Sequence, residues 1–452
     1  MIANRGEIAL RILRACRESG IETVAVYSTA DAGSLSVQLA TQAVCIGGPQ
    51  PTESYLNQNA LLTAAKATGC DGIHPGYGFL SENADFADAC CEAGLKFIGP
   101  SGDTIRKAGS KSAARDLMRG AGVPVTPGSE GPVSCVEEAL AVAAQVGYPV
   151  LLKASAGGGG RGIRRCENPE QLPQAYAEAK AEAMSCFGND ELYLEKVILK
   201  PRHIEFQIMA DRFGNVIHLG DRDCSVQRRN QKLIEEAPAK CLSAELREKM
   251  GAAAVNAARA VNYEGAGTVE FLLDSDGEHF YFMEMNTRIQ VEHGVTELIT
   301  GVDLVREQLR VASGLPLSVK QEQVRFTGHA IECRINAEDQ NFRPTPGKVE
   351  FLHFPGGNGV RVDSSLYNGC ELSPYYDSMV AKLLVLAPTR MEAIRKMRRA
   401  LEEFALEGFP TNAELSYEIM YHPMFIRGNC TTAFLDENLE GLLDFSRRLE
   451  EG

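Results

Sequence analysis

The chain has 452 residues with 46 basic and 60 acidic side chains, giving a formal charge of −14. At roughly 150 residues per domain that length suggests about three units, and 44% apolar with 23% charged residues excludes a disordered or fibrous protein. No apolar run reaches the length of a membrane span, the first residues lack a signal-peptide layout, and the acidic balance argues against general nucleic-acid binding while leaving room for local basic pockets.

Thirteen cysteines, an odd number without any Cys-x-x-Cys spacing, predict neither a disulfide framework nor a zinc site. They read as small buried thiols in a reducing, cytoplasmic compartment.

Residues 7–19 place Ile8, Ile12, Leu13 and Cys16 on one helical stripe that stops at Gly20. Strand 23–27, helix 55–68, a short strand before His74, a helix near 85–93 and strand 95–98 follow. Strands separated by helices imply an α/β unit with a parallel, doubly wound sheet. Its opening strand is nearly absent, because only Met1-Ile2-Ala3 precede the Asn4-Arg5-Gly6 turn. A linking helix is expected over 104–119, then a Gly- and Pro-rich boundary over 122–132. A smaller α/β unit comes next: helix 136–146, strand 149–154, a glycine loop, strand 163–166, helix 169–184 and strand 191–196. Strand patterns then dominate, with helices over 244–261 and 303–312 and a closing helix over 390–406.

The glycine loop, Ser155-Ala156-Gly157-Gly158-Gly159-Gly160-Arg161-Gly162, contains Gly-x-Gly-x-x-Gly. A dinucleotide site would need a helix to open at the last glycine, and strand-like Ile163-Arg164-Arg165-Cys166 follows instead. A hairpin of this kind can fold backbone N–H groups over phosphates; a merely flexible connection is the plainer alternative. Lys153, two residues before the loop, and Lys111, heading the linking helix, can neutralise phosphates, although either alone can be a surface lysine. The 191–196 strand ends in Glu195-Lys196, which offers backbone groups to an adenine edge or simply a salt-bridged strand end.

The carboxylates of two later strands are more informative. Alternation puts Thr268, Glu270 and Leu272 on one face, and Glu284 with Asn286 on one face opposite Met283 and Met285. Acids inside apolar strands are costly unless paired or bound to a cation. Two carboxylates and an amide without Cys or His suit Mg²⁺ or Mn²⁺, against the alternative of a buried Glu–Arg network. Thr287-Arg288-Ile289-Gln290-Val291-Glu292-His293 follows at once, with a cation, an amide and a carboxylate suited to binding an oxyanion and removing its proton.

These strings, together with Asn4-Arg5-Gly6-Glu7, the run from His74 to Asn83, Arg222-Asp223-Cys224-Ser225-Val226-Gln227-Arg228-Arg229 and Glu332-Cys333-Arg334-Ile335-Asn336, make the chain resemble the biotin carboxylases of the ATP-grasp superfamily over nearly its whole length. The resemblance implies an α/β, ATP-grasp fold: an N-terminal Rossmann-like domain (1–109), an ATP-grasp domain (110–328) with a mobile B lid (about 130–198), and a mixed α+β C-terminal domain (329–452). It implies ATP-dependent carboxylation of biotin by bicarbonate through carboxyphosphate. Lys111, Lys153, Gly159 and Gly160 would hold phosphates. Glu195, Lys196, Val197, Ile198, His203, Gln227, Leu272 and, more weakly, Asn230 would contact the nucleotide. Glu270, Glu284 and Asn286 would hold two metal ions. Lys232, Arg288, Gln290, Val291 and Glu292 would surround bicarbonate, with Glu292 as base. Arg334 and Arg288 would stabilise the biotin enolate, and Tyr77 would line the biotin site.

Asn230 stands where a histidine is frequent, and Gly294 where a proline is usual, which would loosen the segment after the base. The sequence carries no Ala-Met-Lys-Met biotin-attachment string and no transferase-sized region. A separate biotin carboxyl carrier protein and separate carboxyltransferase subunits are therefore expected, as in the biotin carboxylase subunit of a bacterial or plastid acetyl-CoA carboxylase. The same pattern would also serve another acyl-CoA or pyruvate carboxylase. Homodimerisation is expected through Arg14, Glu18, Asn358 and Arg361. The rival readings are another ATP-grasp ligase joining a carboxylate to an amine, and a non-catalytic ATP-binding subunit.

Overall fold

The computed structural model describes residues 1–109, 111–155 and 162–450, excepting the side chains of 111–113, 187 and 444–450. The opening strand is reduced to one residue. Ile2 bridges in parallel to both Ala25 and His74; its own N–H donates to the Val24 carbonyl, while Met1 and Ala3 bond His74 through the backbone. Ile2 thereby joins strands Gln42–Gly47 and Val24–Ser28 on one side to Gly72–Ile73 and Lys96–Phe97 on the other, all parallel. Three residues suffice because the helix Gly6–Glu18 starts directly behind them and buries Ile8, Leu10, Ile12 and Leu13. The strand Gln42–Gly47 was not anticipated; five of its six positions are exposed or half-buried, so it lacks a clean apolar pattern.

The expected linking helix is two helices, Gly102–Gly109 and Lys111–Gly120. The smaller unit is an antiparallel sheet ordered Ile163–Cys166, Val150–Ala154, Leu192–Lys196. Helices Val136–Val146 and Leu172–Phe187 back it, burying Ala139, Ala143, Val150, Leu152, Ala179 and Leu194 in one cluster.

An eight-stranded sheet forms the body, in the order Phe280–Asn286, Gly265–Leu273, Arg202–Ala210, Val216–Arg228, Gln231–Ala237, His329–Asn336, Met379–Ala387, Val360–Ser364. The Gln231–Ala237 strand pairs with His329–Asn336, so three C-terminal strands continue the sheet of the preceding region without a break. Alternation along Arg202–Ala210 sends Ile204, Phe206 and Ile208 against helix Ala244–Ala260. Met209 packs on the other side with Leu304 and Leu309, and Glu205 and Gln207 share that second face by period.

Helix Arg390–Glu403 is shorter than the 390–406 expectation and does not close the chain. Residues Ala405–Glu407 form a strand, and helices Ala413–Tyr421, Pro423–Arg427 and Phe434–Glu450 follow. No described helix is long and apolar enough to cross a membrane.

Candidate active site

An open cleft of about 1380 Å³ runs between the smaller antiparallel unit, the parallel unit and the large sheet. Pockets for single drug-sized ligands are typically about 300–1,000 Å³, so the space exceeds what one nucleotide needs. A row of charge built by strand register starts in the cleft with Glu284 and Glu270 and continues into the buried sheet. Glu284 pairs with Glu270, Glu270 with Glu205, and Glu205 with Arg222. Directly opposed residues point to the same face, so four charged side chains lie abreast across four strands.

Arg222 anchors this row with no exposed side-chain surface. Its Nε donates to Glu205; Nη1 donates to Gln207 (2.7 Å) and Thr296 (2.9 Å), and Nη2 to Thr268 (3.1 Å) and Gln290 (3.3 Å). A guanidinium has five N–H donors and here all five are used, which offsets the desolvation of the charge. The network also fixes the amide of Gln290, whose Nε2 donates to Glu270 Oε1 at 2.6 Å.

Lys232, on the neighbouring hairpin, donates to Glu205 (2.6 Å), Glu270 (2.8 Å) and Glu292 (2.7 Å). Burial would lower its pKa, but these three carboxylates raise it well above the usual lysine value. Glu292 is 2% exposed and immediately precedes the helix His293–Thr300, with no side-chain capping bond to it. Its other oxygen accepts from Arg334 Nη2 at 3.0 Å. Burial opposes its ionisation, yet Lys232, Arg334 and Arg222 hold its carboxyl below the ordinary range. Arg334 also donates from Nε to Glu235 at 2.7 Å; burial, with Arg334 opposing, pushes Glu235 up to about 7.

Arg288 lines the same cleft. Its Nη2 donates to Asn286 Oδ1 at 3.1 Å, and Asn286 Nδ2 donates to Glu270 Oε1 at 2.8 Å. Glu270 is pushed up by burial and pulled back well below the usual value by Lys232 and His203, whose Nε2 lies 2.8 Å from it.

Of the residues singled out in the sequence, Tyr77, Lys153, Glu195, Ile198, His203, Gln227, Asn230, Lys232, Glu270, Leu272, Glu284, Asn286, Arg288, Gln290, Val291, Glu292 and Arg334 all line this one cleft. Lys153 is paired with Glu195, which accounts for an ammonium at the end of an apolar strand. Lys196 and Val197 are not among its lining residues, and their N–H groups donate to Pro127 and Pro149 carbonyls at 2.8 and 2.9 Å. Those two donors are spent within the chain, while Ile198 lines the cleft. Lys111 opens a helix, and its side chain, like Gly159 and Gly160, lies outside the described residues.

The expected alternation fails at Met283. A bulge leaves it without a partner between the pairs Glu270–Glu284 and Phe271–Phe282. Met283 is consequently exposed in the cleft wall beside Glu284, while Met285 stays in the core. The oxygen donors still fit a hard divalent cation: Glu284 faces Glu270 across the strand pair, and Asn286 stands next along the same face.

Asn230 has φ +64° beside Arg229 at +49°. The two form the turn between Val216–Arg228 and Gln231–Ala237, and two successive positive φ values mark a type I′ hairpin, where Asn is among the favoured residues. Gly294 does not loosen the segment after Glu292. It lies in the first turn of a buried helix, and a Cβ there would come within 2.4 Å of Leu384 Cδ2.

Three family models match successive parts of the chain: biotin carboxylase, N-terminal domain over residues 1–105; carbamoyl-phosphate synthase L chain, ATP binding domain over 110–320; biotin carboxylase C-terminal domain over 332–437. The biotin carboxylase of Nostoc sp. is 56% identical over 439 residues, covering 97% of this chain and 98% of that one.

The chain belongs to the biotin carboxylase family.

Biotin carboxylases are ATP-grasp ligases that use ATP to carboxylate biotin, and this chain has their fold and activity. Biotin carboxylase 1 of Bacillus subtilis is likewise 56% identical, over 96% of this chain and 97% of that one. The Campylobacter jejuni biotin carboxylase, solved as a β,γ-ATP complex, superposes with TM-score 0.91 at 48% identity, covering 96% of this chain and 98% of that one. The biotin carboxylase domain dimer of Hydrogenobacter thermophilus 2-oxoglutarate carboxylase, solved with MgADP, ADP and bicarbonate, gives 0.90 at 50% identity, covering 98% and 97%.

Sequence reading assigned no role to several residues that build this biotin carboxylase site. Arg115, in the cleft wall, donates to the carbonyls of Ser129 (3.1 Å) and Thr126 (2.5 Å). Lys382 has no exposed side-chain surface; it donates to the Val291 carbonyl at 2.8 Å and lies 3.2 Å from Glu7, which in turn accepts from Tyr77. Lys382 is a charged residue inside an otherwise apolar strand, and Glu205 alternates with apolar residues in its own. The same signal that singles out Lys153, Glu270 and Glu284 is present there too.

Proposed function

We propose that the cleft carries out the biotin carboxylase reaction with Lys232, Arg288, Gln290, Val291 and Glu292 around bicarbonate, and Arg334 and Tyr77 on the side of biotin. The observation that carries this reading is Glu292 held between Lys232 and Arg334, with the same Lys232 bonded to Glu270 of the Glu270–Glu284 pair. An anion entering there meets three fixed cations, and Glu292 stands within the same network to take its proton. Glu270, Glu284 and Asn286 would hold Mg²⁺, which supplies charge neutralisation between nucleotide phosphates when bound. Lys153 and Glu195 would face the nucleotide at the lid side. Lys153 is already oriented by Glu195, so positioning it there costs little further ordering.

We assign residues 1–109, 110–328 and 329–452 to the three domains, with the lid at about 130–198. Biotin would arrive on a separate carrier protein, and separate carboxyltransferase subunits would use the product. Fatty-acid synthesis through acetyl-CoA is the favoured context, since bacterial and chloroplast biotin carboxylases dominate the similar chains. A pyruvate carboxylase component from Methanothermobacter thermautotrophicus, at 52% identity, keeps the acyl acceptor open to test. A homodimer is proposed by analogy with the Hydrogenobacter dimer. Arg14, Glu18 and Asn358 are exposed, whereas Arg361 is largely engaged with Glu297 and Asp363 within the chain.

The test is ATP hydrolysis by the purified chain. It should require bicarbonate and Mg²⁺ and rise with free biotin. Turnover stimulated by an amino acid instead, without a bicarbonate requirement, would overturn the assignment.

A further inference from the structure

The run from His74 to Asn83 is used above only through Tyr77, yet it is built to unusual rigidity. Gly76, Gly78 and Phe79 all take positive φ, and a Cβ at Gly76 would sit 2.9 Å from Asn4 Nδ2. Asn4 Nδ2 pins the loop by donating to the carbonyls of Pro75 (2.6 Å) and Tyr77 (2.7 Å), and Ser81 N donates to Gly78 O at 3.0 Å. A non-glycine residue with positive φ such as Phe79 is a strained choice, kept where the surroundings over-determine the backbone. The loop ends by presenting Glu82 to the catalytic segment. Glu82 Oε1 accepts from the Thr287 backbone N–H at 3.1 Å and Oε2 from Arg288 Nε at 3.0 Å. This ion pair crosses 206 residues of sequence and joins the parallel unit to the anion-binding loop of the large sheet.

Donor arithmetic shows what the pair does. Arg288 has five N–H donors. Glu82 takes Nε–H, the Ile289 carbonyl takes one Nη1–H at 3.2 Å, and Asn286 Oδ1 takes one Nη2–H at 3.1 Å. One N–H on each terminal nitrogen is left, the pair needed to grip an oxyanion by two bonds. Holding Nε fixes the plane of the guanidinium, and holding Thr287 N fixes the backbone that bears it.

We infer that Glu82 is a positioning residue for bicarbonate binding: from the opposite domain it fixes the backbone and guanidinium of Arg288 so that two N–H groups remain for the anion. It touches no substrate itself. Its carboxylate is 42% exposed, so substitution need not disturb a core. The inference rests on the bicarbonate role of Arg288 given above.

The test is steady-state ATP hydrolysis and biotin carboxylation by Glu82→Ala and Glu82→Gln, with bicarbonate and ATP varied separately. Glu82→Ala loses both contacts, and the KM for bicarbonate should rise about tenfold, in line with loss of a charge-assisted hydrogen bond. Glu82→Gln keeps an acceptor for Thr287 and should fall between it and the parent chain, while both variants keep the ATP KM within about twofold. An unchanged bicarbonate KM in both variants, or ATP and bicarbonate KM values rising in parallel, would overturn the inference. A parent chain with no bicarbonate-dependent turnover at all would instead refute the functional assignment.

Discussion

Lys232→Met isolates the element on which the site's electrostatics turn. The ammonium has three N–H donors, and each ends on a different carboxylate at 2.6–2.8 Å. Glu205, Glu270 and Glu292 are 0%, 3% and 2% exposed, so solvent cannot replace the lost charge. Breaking a buried pair from one side costs about 3–5 kcal/mol. Taking an unfolding entropy of about 2.1 cal/mol/K per residue over a chain of this length, that is a fall in melting temperature of roughly 3–5 °C. The catalytic loss comes from two sources. Removing one preorganised donor costs on the order of 10²–10³ in kcat. In addition, Glu292 loses the largest influence holding its carboxyl below the ordinary range. Its pKa then rises, so the acid limb of the turnover profile should move to higher pH than in the parent chain. A coupled ATP-hydrolysis assay with free biotin from pH 6 to 9, alongside thermal melts, reads all three effects. Turnover within threefold of the parent, with an unmoved pH profile, would refute the electrostatic account.

Three further outcomes follow from the same geometry. Glu284→Gln removes a charged ligand that faces Glu270, so the Mg²⁺ concentration giving half-maximal turnover should rise on the order of tenfold; an unchanged Mg²⁺ titration would exclude Glu284 from the metal site. Gly294→Ala places a Cβ 2.4 Å from Leu384 Cδ2 and should destabilise by about 1–3 kcal/mol. Leu384→Ala in the same chain should relieve part of that cost, and strictly additive melting shifts would disprove the clash. Burial lowers His74 to about 3, so it folds neutral. Its contribution is complete above its unfolded value near 6.5 and is lost as pH falls, by about 1.4 kcal/mol per unit. Glu236, raised by burial but lowered to about 2 by His329 and Arg390, adds a loss between pH 4.5 and 2. Melting temperature should therefore drop between pH 7.5 and 5.5, less steeply in His74→Asn; identical slopes would remove His74 from the acid response.

The sequence by itself determined the family, the helices with clear apolar stripes, and the presence of acids and cations inside strands that only a charged ligand or a buried network explains. Local patterning reaches that far because burial and period are properties of a few neighbouring residues. It showed that the opening strand is nearly absent but not how Ile2 completes the sheet, because that pairing depends on Ala25 and His74 farther along the chain. Nor could it place the bulge at Met283, since an unpaired residue is defined only by its partner strand. The row Glu284–Glu270–Glu205–Arg222 and the tripod of Lys232 are likewise register effects. Register fixes which distant charges become neighbours, and in a low-dielectric interior neighbouring charges decide which carboxyl is ionised and which arginine is free to bind.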